Sequence, residues 1–493
     1  MIKNQERDLY LVNLLREKTE QRAPILNLSY ERLGDEGTAF LARTLDLSHV
    51  TQLNLGWNEI TDIGMKALAQ CPTLTGLVSL VLESNQIGST GAAALANSPN
   101  FPSLKIIKLA NNRVSDEGAL QLIKSGTLKS LETLELELNR VGETRLTRFP
   151  DGTANPSLKL LNLRRNRIGD DTLSDWLQTG AFVPLNHVNL GWNKIGDAGA
   201  VALAKSPTVA RLEKLFLDSN SIGDEGALTI ARSKHLGKLT DLFMFDNDFG
   251  SATEDALQDL HIRLLFQKYQ EGPTLNLNGQ RLGNKALAAL ARSEKLKDIK
   301  TLSLRNNLFN HTGLAALAES ANAGNIGTLN LMDNDTGTKG AVLLAGSKSL
   351  SNLKTLNLEN NRIRSSGLMA LARSETLNQL EEINLSKNEL TETGMRHLAG
   401  SKNFSNLKRL IAADTFMGDE GFQNLVLSGH LGKLEELRVN GNQITRAGID
   451  SLAGSPNLTH LKTLDLRRNK FRDADLLFIA DSPKFKKLKE LRF

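Results

Sequence analysis

Residues 185–211 read LNHVNLGWNKIGDAGAVALAKSPTVAR. At the start of this stretch apolar and polar positions alternate. Val188 and Leu190 are separated by Asn189, with Gly191 following, which is the period of two of a short strand with one buried face. Past Asn193 the apolar spacing changes. Ala200, Leu203 and Ala204 stand at i, i+3 and i+4, which predicts a helix with a single buried stripe. Ile195 is expected to point inward between the two elements, Asp197 to cap the helix N-terminus, and Ser206 to end the helix. The stretch therefore predicts strand, turn, helix and loop.

The same pattern runs along almost the whole chain. The Asn that closes each L-x-L-x-x-N falls at 58, 85, 112, 139, 166, 193, 220 and 247, then at 307, 334, 361, 388, 442 and 469, on a grid of 27 residues. Glu31, Gln280 and Thr415 fill the other slots, giving 17 copies, and only the step of 33 residues from Asn247 to Gln280 is irregular. Such self-similarity predicts a repeat array in which each copy packs on its neighbours. An Asn side chain offers two donors and an acceptor, so stacked copies can satisfy loop backbone groups that no sheet ladder reaches. Two strand positions per copy are aliphatic everywhere except Ala412, and the inward position represented by Ile195 is apolar in 16 of 17 copies, Thr336 being the exception. Gly recurs six residues after the Asn slot in 12 copies, and Ser thirteen residues after it in 12. Strands lie about 4.8 Å apart and helices about 10 Å, so stacked copies must curve with strands inside. An α/β horseshoe or superhelix is expected, with a concave parallel sheet and convex helices.

The pattern L-x-x-L-x-L-x-x-N-x-I-x-x-x-G-x-x-x-L-A resembles the leucine-rich repeat family in its ribonuclease-inhibitor-like helical subtype. GDAGAVALA (196–204) and GDEGALTIA (223–231) also resemble the GALA-type repeats of bacterial effectors. The resemblance covers residues 25–493. It implies a scaffold that binds a protein partner. A translocated effector or ubiquitin-ligase substrate adaptor is the alternative, and a GTPase-activating protein, known among helical members, the enzymatic one. The chain departs from the ribonuclease inhibitor in its uniform period and its near lack of cysteine, so that protein's inhibitory activity does not carry over. Effectors of the GALA type have an F-box ahead of their repeats, for which the 24 residues before the first strand are too few.

Around the irregular step, residues 252–283 match the N-terminus: Leu11/Leu260, Leu15/Leu264, Pro24/Pro273 and Leu26/Leu275 align. Both places predict a long amphipathic helix, a Pro, then a strand whose Asn is lost. Four segments are expected: a capping helix over 1–24, nine repeats over 25–251, a second cap-like helix over 252–273, and eight repeats over 274–493, the alternative being one tolerated insertion on a convex helix. Leu488, Leu491 and Phe493 begin a further strand. Its open edge offers self-association between chains, against which Lys484, Lys486, Lys487 and Lys489 act.

Composition changes this picture little. Lys and Arg number 60 against 55 Asp and Glu, a net charge of +5 spread over mixed surface charge, which gives no footprint for nucleic acid. No apolar run is long enough to span a membrane, and the charged N-terminal stretch lacks the core of a signal peptide. One cysteine, Cys71, fits a reducing compartment and occupies a slot that is usually Ser. A cytoplasmic protein is expected, or one translocated into a host cell without a signal. The eight histidines are scattered, no metal, phosphate or nucleophile motif is present, and neither catalysis nor a cofactor is expected. Trp176 sits at a helix position that is usually Leu, hence core.

Function is left to the outward strand positions and the two residues before each Asn slot. In most copies these are small or polar. Trp192, Phe216, Asp218, Asp241, Phe243, Phe245 and Asp246 break the rule, with Arg164 and Arg165 one copy earlier and Tyr30 and Trp57 near the start. Exposed aromatics of this kind are typical interface anchors. Alternatively, Trp192 stacks on Phe216 and Phe243 as a second small core.

Overall fold

Strands of only three residues carry the molecule, and each is held by its neighbours on the 27-residue grid. The computed structural model describes residues 2–143, 152–455, 457–477, 479 and 482–493. The chain forms two compact units, Met1–Leu257 and Gln258–Phe493, each with its own sheet. In the first unit nine strands, from Ile25–Asn27 to Asp241–Phe243, lie parallel in sequence order. Their register follows the grid: Leu26 faces Leu53, Leu53 faces Leu80, and Val188 faces Leu215. All five of these aliphatics are buried. A slip of one residue would turn them to solvent, so the alternation alone fixes the register. In the second unit the strands from Thr274–Asn276 to Glu490–Arg492 repeat the arrangement. Helices such as Asp197–Lys205 and Asp224–Ala231 follow the strands and pack on one another in order. The helix expected in the fifth copy falls on residues 144–151, outside the described residues. In the last copy a 3₁₀ turn, Asp473–Leu476, opens the segment where a helix is expected, and residues 478, 480 and 481 lie outside the described residues.

The Asn slot behaves as the chemistry of its amide requires. Asn388 is buried and donates to the carbonyls of Leu358, Leu385 and Ser386 at 2.9, 2.9 and 3.1 Å. Its Oδ1 accepts the amides of Asn361 and Ile363 at 3.1 and 2.9 Å. One side chain thus joins two neighbouring copies. The exceptions are accommodated by the same logic. Thr415 donates its hydroxyl to Asn442 Oδ1 at 2.8 Å, and Glu31 takes an ion pair from Lys18 at 2.9 Å. Thr336, buried in an apolar slot, gives its hydroxyl to Asn361 Oδ1 at 2.9 Å. At the far end of the helices the recurrent Ser donates to a carbonyl of the preceding copy, as Ser320 does to Ala291 at 2.6 Å.

One expectation is corrected. Asp197 does not cap its own helix, whose N-cap is Gly196. Its carboxylate instead accepts the amides of Gly223 and Gly226 in the next copy, at 2.8 and 2.7 Å. Asp35, Asp62 and Asp419 do the same for Gly64, Gly91 and Gly448. The cap is an inter-copy bond, which a sequence window around one helix cannot reveal.

Trp176 is core, as its slot predicts, and donates Nε1–H to the buried Asp116 at 3.1 Å. Asp116 also accepts the Gly142 amide at 2.7 Å. Burial nevertheless pushes the Asp116 carboxyl above its ordinary range, despite these bonds. The folded state therefore holds the proton more tightly than the unfolded chain. The resulting stabilisation is present in acid and is lost as pH rises from the ordinary carboxylate value through the raised native one. Asp116→Asn removes the charge and keeps an acceptor, so urea midpoints measured across that window should lose this contribution to their slope. An unchanged profile would show that Asp116 does not titrate there.

Helices Ile2–Glu20 and Glu254–Tyr269 bury Leu11 and Leu15, and Leu260, Leu264 and Phe266. After the second helix the structure adds a hairpin with no counterpart in the sequence reading. Gln270–Glu271 pairs antiparallel with the start of Thr274–Asn276, turning through Gly272 at φ +55°.

Candidate functional site

Most strand residues flanking each buried aliphatic, and most of the residues in the two places before each Asn slot, lie outside the core. The residue just before the slot has a further property. In all 17 copies it lies at positive φ, from Tyr30 at 66° and Trp57 at 60° through Trp192 at 56° to Arg468 at 58°. The chain leaves the strand by a left-handed turn, which L-residues other than Gly, Asn and Asp adopt at a cost of roughly 1–2 kcal/mol. Eight of the 17 copies do use Gly, Asn or Asp there, and that enrichment is the signal by which the turn could have been read from the sequence. Tyr30, Trp57 and Trp192 are bulky exceptions at a strained position.

In the first unit the predicted residues separate into three groups. Phe216 and Phe243 stack ring on ring, with centroids 4.6 Å apart and planes 2° from parallel. Phe243 is exposed, and Phe245, 62% exposed, stands beside Asp246, also exposed. Asp241 is half-buried at the start of the same strand. Trp192 joins neither phenylalanine. Arg165 lies 4.9 Å from its ring centroid and Arg164 5.8 Å, both in cation–π range. Asp218 is no free acid: it is 2% exposed and pairs with Arg164 at 2.8 Å, two copies away. Tyr30 and Trp57 form a separate stack with centroids 5.3 Å apart, and both are more than half or about half exposed. Beside Phe216 a shallow cavity of about 260 Å³ is lined also by Glu135, Asn162, His187, Asn189 and Lys214.

The second unit presents a different surface on its strands. Arg409 pairs with Glu382 at 2.9 Å and Glu436 at 2.7 Å, Lys387 with Glu359 at 2.7 Å, Arg305 with Asp333 at 2.9 Å, and Arg468 with Asp414 at 2.8 Å. Most of these pairs join copies one or two steps apart and neutralise one another. The signal of this network in the sequence is opposite charges at equal or adjacent grid positions of neighbouring copies.

The architecture defines a repeat-built scaffold with an open strand face, and its family is the leucine-rich repeat. The family described as "Leucine Rich repeat" matches residues 45–69, 73–96, 102–122, 154–174, 184–204, 212–231, 349–372, 431–453 and 457–480, and the chain is a leucine-rich repeat protein. Such proteins are typically non-enzymatic scaffolds and commonly bind protein partners. Among solved structures the chain is similar to an internalin from Listeria monocytogenes, at 16% identity over 97% of this chain and 88% of that one, with a TM-score of 0.34. It is also similar to a leucine-rich repeat protein of Leptospira interrogans, at 19% identity over 97% of this chain and 98% of that one, with a TM-score of 0.33. Comparison with curated proteins finds no sequence match. Among the described residues no helix is long and apolar enough to cross a membrane.

Proposed function

We propose that the strand face of the first unit, the concave face of its repeats, grips a protein partner through Trp192, Phe216, Phe243 and Phe245. Arg165 and Asp246 lie at the rim of this patch, and Tyr30 and Trp57 make a second contact. The observation that carries the reading is the outward placement of these aromatics at positions where the core gains nothing from them. Two are tryptophans in left-handed turns that a Gly or Asn would occupy with less strain. Asp218 acts within the face by holding Arg164, and Asp241 flanks the phenylalanines.

In the same reading the helices over 1–24 and 252–273 are caps. Ile262, Leu265 and Phe266 share one core cluster with Leu275, Leu277 and Leu287, as a helix covering the first strand of its block would.

Trp192→Ala with Phe243→Ala tests the site. Each truncated anchor is expected to cost about 2 kcal/mol or more of binding, so affinity-enriched partners should be lost from pull-downs with the double variant. Its melting temperature should stay near that of the parent protein, because neither ring is buried. Retention of the same partners at the same affinity would remove the proposed site.

A further inference from the structure

Residues 55–60 and 190–195 read LGWNEI and LGWNKI, and the copies that hold them lie 135 residues apart. Their surroundings match beyond the motif. Gly56 and Trp57 correspond to Gly191 and Trp192, and Glu83 and Ser84 in the next copy correspond to Asp218 and Ser219. The backbone is the same in both places. Asn54 Oδ1 accepts the Gly56 amide at 3.0 Å as Asn189 does that of Gly191 at 3.0 Å, and the tryptophans have φ of 60° and 56°.

At the later copy the arrangement is filled by the chain itself. The Arg164 guanidinium passes over Gly191, pairs with Asp218 at 2.8 Å and sits 5.8 Å from the Trp192 centroid. Gly191 is there for clearance: a Cβ would meet Arg164 Nη1 and Asp218 Oδ1, each at 2.7 Å. At the earlier copy the residue equivalent to Arg164 is Ser29, whose hydroxyl turns back to Asn27 Oδ1 at 2.8 Å. Over Gly56 no cation crosses. The nearest atoms to a Cβ there are Asn54 Oδ1 and the Glu83 carbonyl, both at 3.3 Å. The place of Arg165 is taken by Tyr30, which stacks on Trp57 at 5.3 Å. Glu83 is half-buried and makes no ion pair among the described residues. Ring, carboxylate and glycine are all kept, Tyr30 stands in for Arg165 on the ring, and the cation that Arg164 supplies has no counterpart.

We propose that Trp57 and Glu83 form a receptor for one arginine side chain of the protein partner, bound as Arg164 is bound between Trp192 and Asp218. The proposal rests on the strand face being the binding face. A planar guanidinium suits the slot because it can lie against the indole while donating to the carboxylate. An arginine supplied by the partner would complete at the first copy what the chain completes for itself at the second.

The test uses the full chain and N-acetyl-arginine-methylamide, followed by the three indole N–H resonances, with Trp57→Phe to assign Trp57. Saturable movement of the Trp57 resonance is expected, with Trp192 unaffected because its slot is occupied. Glu83→Gln should weaken binding by about tenfold, the effect of one charge-assisted hydrogen bond. The neutral citrulline analogue should bind no better than the arginine probe does to Glu83→Gln. Arg164→Ser recreates the Ser29 arrangement and should make Trp192 respond, whereas Ser29→Arg should close the Trp57 slot. A Trp57 resonance that never saturates, an unchanged affinity in Glu83→Gln, or equal binding of the citrulline analogue would each overturn the proposal. These outcomes are read apart from the Trp192/Phe243 pull-down, so loss of the arginine slot leaves the protein-binding reading standing, and a failed pull-down is distinguishable from a failed slot.

Discussion

Asn388→Ala is expected to destabilise the second unit by about 3–4 kcal/mol. The side chain makes three donations and two acceptances, all to backbone groups and all in buried surroundings. Alanine leaves the carbonyls of Leu358, Leu385 and Ser386 and the amides of Asn361 and Ile363 without that partner. An unmade buried bond costs about 1–3 kcal/mol, and water entering the vacated volume recovers part of the sum. The loss should be felt by its own copy and by the one before it, since the amide joins these two. Hydrogen exchange should rise across residues 358–390, together with a fall in the urea midpoint. Asn388→Thr should be milder, because Thr415 shows that a hydroxyl can hold the slot with bonds to Asn442 Oδ1 and the Ala412 carbonyl. A loss of under about 1 kcal/mol in Asn388→Ala would mean that the ladder is dispensable to stability.

Gly226→Ala should also destabilise, by about 2–3 kcal/mol, although alanine is ordinarily the better helix residue by up to about 1 kcal/mol. The sign is decided by space. The added methyl would lie 2.7 Å from Asp197 Oδ1, 2.8 Å from Ala200 Cβ and 2.9 Å from Ile222 Cγ2. Relieving the first contact means withdrawing the carboxylate from the amides of Gly223 and Gly226, so the methyl and the lost cap act on one device. Asp197→Ala alone should cost about 1–2 kcal/mol, the usual value of a lost cap. Because both changes strike the same bonds, the double variant should fall short of the sum by about 1 kcal/mol. Strict additivity in that double-mutant cycle would show that the glycine serves packing alone.

Residues whose role lies within one copy were legible. Val188 and Leu190 could be placed in a strand, Ile195 inward and Trp176 in the core, because alternation and helical spacing are local properties. The Asn slot was legible as well, since a side chain with both donors and acceptors repeated at a fixed interval has few other uses. The candidate aromatics were found by exclusion, as residues that neither period needs. What they touch could not be found that way. Asp218 reads as an open acid and is buried on Arg164, because their contact spans two copies and depends on the clearance over Gly191 between them. Asp197 reads as the cap of its own helix and serves the next one for a similar reason.

By itself the sequence determined the strand, the helix and the interval at which they recur, because solvent sorts apolar from polar positions wherever a short period is present. Tertiary structure alone decided which neighbour each polar group serves. Stacking brings residues 26–29 positions apart, one copy on, or 54 apart, two copies on, within hydrogen-bond reach. At that distance a carboxylate, an amide or a guanidinium is partnered by the adjoining copies, whose identity no single window of sequence contains.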